Sequence, residues 1–252
     1  MNRSVFCFSF NISVVKAIAI ILFFYSFPLL AQKVNVKLSK EQQVYDDLQE
    51  AVLKNAITIG DTNIAIVALN NLLLLNPSDT TIKKQLLRIY FNLGKYYTSF
   101  NLAQKFLNEE KDSLFYLEVC GKSAEYLSYN EEALKYYEKL FNATGNTYYG
   151  YLKAYMQYQL FRYYECAQWI SILLINPDID KQSVLINYSE NKSQQVPLRA
   201  ALLNLDGLAL SEMKEFTGAL NSLEEALKVL PEYELAKNNL VLIKSFQEKE
   251  KK

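Results

Sequence analysis

Leu87–Leu107 reads LRIYFNLGKYYTSFNLAQKFL. Apolar residues recur at helical spacing up to Leu93, Gly94 interrupts them, and the spacing resumes through Phe100, Ala103, Phe106 and Leu107. Glycine takes a left-handed conformation without strain, so the stretch predicts a helix, a tight turn and a second helix. Working outward, the same pattern recurs along the chain from Ser39. Only 7 Gly and 5 Pro occur in 252 residues, which favours helices over a many-stranded sheet.

Blocks cut at Asp46, Thr80, Leu114 and Tyr148 begin 34 residues apart, and a fifth at Ala200 is displaced by 18 more. A small column then reads Ala65, Ser99, Ala133, Ala167 and Ala219. Two antiparallel helices approach closely only where one presents a small side chain. A large apolar column reads Ile59, Leu93, Leu127, Phe161 and Met213, and the turn position after it Gly60, Gly94, Ser128, Arg162 and Lys214. Leu72, Phe106, Leu140, Leu174 and Ala226 form an apolar column of the second helices, and Leu73, Leu107, Phe141, Ile175 and Leu227 form the next. Tyr96, Tyr164 and Phe216 share an aromatic column. Pro77 and Pro231 fall where second helices must stop.

These columns resemble the tetratricopeptide repeat family, as do EYLSYNEEALKYYEKLF (Glu125–Phe141) and LDGLALSEMKEFTGALNSLEEALKVLP (Leu205–Pro231). The resemblance implies an all-α, right-handed solenoid of helix–turn–helix repeats with a concave groove lined by first helices. The repeats fall at about 46–79, 80–113, 114–147, 148–181 and 200–233, within a domain spanning 32–252. The aromatic that often opens the first helix of such repeats is absent, with Gln49, Lys83, Leu117, Tyr151 and Leu203 in that column. Ser39 with Gln42 forms a capping-box pattern, so the first helix is expected to start at Lys40. A helix at 234–250 would cap the far end of the stack, with Leu235, Leu240, Ile243 and Phe246 as its apolar residues. The 18 excess residues fall between the fourth and fifth repeats, at about 182–199. The insertion reads DIDKQSVLINYSENKSQQV (Asp178–Val196), in which either Lys181–Tyr188 forms an extra short helix or strand or the whole is a mobile loop.

Residues 1–31 read as a cleaved signal peptide: Arg3 and Lys16 are the only charges, Ala17–Leu30 is apolar, and cleavage is expected near Ala31. An uncleaved anchor is the alternative, but the apolar run is short for a span. We therefore expect a product exported to the periplasm or beyond, with no insertion in a membrane after cleavage. Lys plus Arg and Asp plus Glu are both 27, so no global field steers the chain to nucleic acid. Cys120 and Cys166 lie in no metal-binding spacing, and read either as small apolar helix residues or as one disulfide.

The chain lacks histidine, a glycine-rich phosphate loop and a nucleophile elbow, so neither an enzyme nor a cofactor or metal site is expected. Lys54, Arg88 and Lys122 share a first-helix column that passes to Met156 and Leu208, and Phe91, Tyr126 and Tyr149 lie nearby. Together Lys54, Arg88, Phe91, Lys122, Tyr126, Tyr149 and Met156 are the expected groove for a protein or peptide partner. An extended acidic and aromatic segment would suit the three cations. Glu50, Glu118 and Glu125 could instead neutralise them in local ion pairs. The family's carboxylate clamp is not reproduced, because Glu50 and Glu118 stand where it uses lysine. The 19 tyrosines raise a second reading, a carbohydrate or cell-wall binder, if Tyr126, Tyr149 and Trp169 shared one exposed surface.

Overall fold

The computed structural model describes residues 39–189 and 192–250; the expected signal segment lies outside them. Helices follow one another as α1 (Lys40–Ile59), α2 (Thr62–Leu75), α3 (Thr80–Asn92), α4 (Tyr96–Glu109) and α5 (Leu114–Tyr126). Then come α6 (Asn130–Thr144), α7 (Thr147–Gln159) and α8 (Tyr163–Ile175). A 3-10 helix (Pro177–Lys181) and a hairpin of β1 (Ser183–Ser189) and β2 (Lys192–Pro197) precede α9 (Leu198–Glu212), α10 (Phe216–Val229) and α11 (Glu234–Glu250). The chain forms two compact units, one ending at Ser128 and the other beginning at Tyr129. Within each, helices pack on their neighbours in sequence.

The local chemistry explains the boundaries. The capping box is present: the Ser39 side chain accepts from the Gln42 backbone N–H, and the Gln42 side chain accepts from that of Ser39. Asp61 and Asp79 each accept two backbone N–H groups at the starts of α2 and α3. Left-handed residues close the first helices at Gly60, Gly94, Ser128, Phe161 and Lys214.

The fourth of these corrects the sequence register. The left-handed residue is Phe161 rather than Arg162, so the third and fourth turns are 33 residues apart. Every column of that block, in both of its helices, moves back by one. Cys166, fully buried, takes the small position in place of Ala167, and Leu173 replaces Leu174 in the apolar column. The small column is then Ala65, Ser99, Ala133, Cys166 and Ala219, all buried. Tyr163 takes the aromatic place, leaving Tyr164 and Ile175 exposed. A one-residue deletion is accommodated here because α7 begins at Thr147, after the Gly145 turn that ends α6.

The core of the N-terminal unit includes Leu53, Ala56, Ala65, Ala68, Leu69, Leu72 and Leu86. That of the C-terminal unit includes Ala154, Ile170, Leu173, Leu202, Leu223 and Ile243, and absorbs the inserted hairpin. Val184 faces Val196 across the antiparallel pair, and both are buried in that core with Ile179. Arg199 clamps the segment, donating to both carboxylate oxygens of Asp180 at 2.6 and 2.8 Å and to the Leu174 carbonyl at 3.1 Å. Gln194 of β2 donates to the Glu232 carbonyl and accepts from the Glu234 N–H, tying the hairpin to the start of α11. The excess residues are therefore packed structure. Along α11, Ile243 is buried and Leu235 and Leu240 pack on the core, whereas Phe246 is about two-fifths exposed.

Candidate functional site

In the N-terminal unit, Lys54 on α1, Arg88 on α3 and Lys122 on α5 occupy equivalent places on successive first helices. Lys54 is exposed, and the other two are half-buried. Their surroundings differ. The Arg88 guanidinium lies over the Phe115 ring, 5.2 Å from its centre, and the Lys84 ammonium lies 5.9 Å from the same ring. The Lys122 ammonium donates to Glu118 one turn back at 2.6 Å. The local neutralisation open from the sequence is thus realised at Lys122, where a half-exposed pair contributes little to stability.

Beside these cations lies an aromatic cluster. The Phe91 ring packs edge-on to Tyr96 (5.2 Å) and to Tyr126 (5.7 Å), and Tyr96 and Tyr126 stack at 4.2 Å with 6° between their planes. Burial raises the Tyr96 hydroxyl above its ordinary pKa. Tyr126 keeps one side toward solvent and is about two-fifths exposed. The structure therefore brings Phe91 and Tyr126 together at the end of the stripe. Tyr96, from the aromatic column of the second helices, is the platform on which Tyr126 rests.

Tyr149 and Met156 belong to the C-terminal unit. Met156 is only 1 % exposed and is withdrawn from the expected groove. The shifted register makes Tyr155 the equivalent of Lys122, and leaves Met156 as a buried residue. Helix α7 presents Tyr148, Tyr151, Tyr155 and Tyr158 at helical spacing, each half-buried against the unit's core. Tyr149 lies outside that row, its ring tilted against Tyr148 at 5.8 Å. The cue for the row was in the sequence: four tyrosines three or four residues apart give one face of a helix.

The carbohydrate reading loses its platform. The Trp169 ring carries the Lys153 ammonium 4.0 Å from its centre, meets Phe141 at 5.1 Å, and donates its N–H to the Gly150 carbonyl at 2.9 Å. The ring is half-buried against the core of the C-terminal unit and already engaged by these partners. The cysteines are both buried thiols, one in each unit. Burial, with the Asp206 carboxylate adding to it, pushes the Cys166 thiol up to about 12, far from a reactive thiolate. Among the described residues no helix is long and apolar enough to cross a membrane.

The paired helices, small crossing residues and left-handed turns match known solved structures. YrrB, described as a TPR protein with an unusual peptide-binding site, superposes with a TM-score of 0.59 at 13% identity, covering 79% of this chain and 95% of that one. The protein has the tetratricopeptide-repeat fold. MamA gives a TM-score of 0.57 at 14% identity, covering 75% of this chain and 95% of that one. MamA from Desulfovibrio magneticus RS-1 gives 0.56 at 12%, covering 75% and 97%. At such identities the likeness concerns the fold. No protein-family model matches the sequence, and no curated protein does either.

Proposed function

We propose that the protein is a non-catalytic scaffold of the cell envelope that holds a partner protein on the first-helix face of its N-terminal unit. The apolar run Ala17–Leu30 behind Lys16 supports export. The single observation that carries the binding site is the juxtaposition of Arg88 over Phe115 with the Phe91–Tyr96–Tyr126 cluster, in line with Lys54 and Lys122. Arginine on an aromatic face beside an exposed tyrosine suits an extended segment bearing carboxylates and aromatic rings. The partner is a protein or peptide segment. YrrB, with the same fold, is described as having a peptide-binding site.

The test is photo-crosslinking in the intact envelope from a probe placed at Tyr126. A discrete adduct is expected with the natural sequence, and Lys54→Glu with Arg88→Glu and Lys122→Glu should remove it. An undiminished adduct in the reversed protein would overturn the site. Purified protein whose N-terminus is Met1 rather than a residue near Gln32 would overturn cleavage of the leader.

A further inference from the structure

The outer side of α8, with the turn before it, carries a row of large apolar side chains turned to solvent, two on either side of Gln168. Phe161 is 77 % exposed, Tyr164 65 %, Ile172 58 % and Ile175 82 %. Nothing in the repeat requires them. The equivalent places hold Gly94, Tyr97, Lys105 and Asn108 at α4, Ser128, Glu131, Lys139 and Asn142 at α6, and Lys214, Thr217, Glu225 and Lys228 at α10. At α2 they hold Gly60, Asn63, Asn71 and Leu74, of which Leu74 alone is a large apolar residue. Phe161 is also the left-handed turn residue, at φ 61°, a conformation costly for a bulky side chain. Its ring edges against Tyr163 at 6.1 Å yet stays mostly in water.

The row is symmetric in sequence. Phe161 and Ile175 each lie seven residues from Gln168, and Tyr164 and Ile172 each lie four from it. Gln168 is exposed at the centre, donating to the Tyr164 hydroxyl at 2.8 Å. From this we infer that α8 pairs with α8 of a second copy, antiparallel about a two-fold axis through Gln168. In that arrangement Phe161 meets the partner's Ile175 and Tyr164 meets the partner's Ile172. The Gln168 pair on the axis sets the register, as a single polar residue does in a coiled-coil seam. A two-fold contact uses one patch twice, so a patch with this inversion pattern complements itself. The row contains no lysine or arginine, which disfavours an anionic lipid surface as its cover. Arg162, at its edge, is held by Glu131 at 2.6 Å. Glu165 falls opposite the partner's Ser171 rather than another acid, so pairing opposes no like charges.

The row runs about 20 Å along the helix. It buries roughly a few hundred Å² per copy, well under the ~800 Å² of a standard interface. Self-association is therefore expected at about 10–100 μM.

Sedimentation velocity over a concentration series tests this, on protein purified from cells expressing the full chain. A monomer–dimer equilibrium is expected, and Ile172→Asp with Ile175→Asp should abolish it while leaving the circular-dichroism melt unchanged. Phe161→Gly should weaken the dimer and raise the melting temperature, since glycine relaxes the turn. Gln168→Cys should cross-link to itself under mild oxidation, whereas Asn101→Cys in α4 should not. A protein that stays monomeric up to about 1 mM would overturn the proposal, as would a dimer that survives the double substitution. Tight binding of the monomer to anionic vesicles, lost on Ile172→Asp with Ile175→Asp, would assign the row to a membrane and equally overturn it.

Discussion

The fourth residue of α3, in the N-terminal unit, is Lys83, and the fourth residue of α7, in the C-terminal unit, is Gly150. Both stand where related repeats often carry an aromatic, and both are buried. Around Lys83 the first helix supplies the bulk. Its ammonium is paired with Glu109 of α4 and lies 5.1 Å from the Phe106 ring centre, with the side chain 3 % exposed. Around Gly150 the second helix supplies it. A Cβ there would lie 2.8 Å from Leu173 and 3.2 Å from Phe141, and the neighbouring Trp169 is tied by its N–H to the Gly150 carbonyl. The same place is thus filled from opposite helices. The N-terminal version depends on a counter-charge, and the C-terminal version depends on the absence of a side chain.

The largest effect should come from the C-terminal version. Trp169→Ala removes a hydrogen-bonded ring wedged between Lys153 and Phe141, and should cost about 3 kcal/mol, the lower end for a ring partly in water. Gly150→Ala approaches the same contact from the other side and should cost about 1–3 kcal/mol through overpacking. Urea unfolding followed by circular dichroism measures both. A cost under about 0.5 kcal/mol for each would show that Trp169 does not stand in for the missing aromatic.

In the N-terminal version the weak point is electrical. Glu109→Gln leaves a buried ammonium without its carboxylate. Removing one partner of a fully buried pair costs about 3–5 kcal/mol, but Glu109 is nearly half exposed, so about 1–2 kcal/mol is expected. Lys83→Met keeps the length of the side chain and needs no partner. Lys83→Met with Glu109→Gln should recover most of the loss. If the double substitution is no more stable than Glu109→Gln alone, the charge is not what Glu109 serves.

These positions also show what the sequence could and could not disclose. The small column and the left-handed turns were legible because close helix approach and turn geometry each restrict the residue types allowed. The fourth block was misread by one residue because Cys166 and Ala167 are both small, and Leu173, Leu174 and Ile175 are all apolar. Such a run tolerates either register. That slip placed Met156 rather than Tyr155 in line with Lys122. The hairpin at Ser183–Pro197 was ambiguous because burial alternates only weakly along it, and its clearest inward contact, Val184 against Val196, appears only once the strands are paired. At the candidate site, the shared column of Lys54, Arg88 and Lys122 was visible as spacing. The stacking of Tyr126 on Tyr96 was not, because it joins two helices and no local pattern encodes it.

The smallest expected effect concerns charge burial in the C-terminal unit, where a carboxylate takes a hydroxyl partner. Asp206 on α9 accepts from Ser222 on α10 at 2.6 Å. Burial raises its pKa, outweighing the Ser222 hydrogen bond that lowers it. A carboxyl whose pKa is higher in the folded protein binds its proton more tightly there. Its contribution to stability is therefore fully present below the ordinary carboxylate pKa and is lost as pH rises through the folded value. Asp206→Asn keeps a side-chain oxygen for Ser222 and carries no charge to desolvate. It should stabilise the protein near neutral pH by up to about 1 kcal/mol, with the advantage shrinking toward pH ~4. Lys83, with Glu109 as counter-ion, should show no such gain on neutralisation of its partner, since Glu109→Gln is expected to destabilise. Thermal melts of the two variants between about pH 4 and 8 would set them side by side. Opposite signs at neutral pH are the expected result. A destabilised Asp206→Asn would instead mean that its ionised form is held by the fold, and that both units bury charge on the same terms.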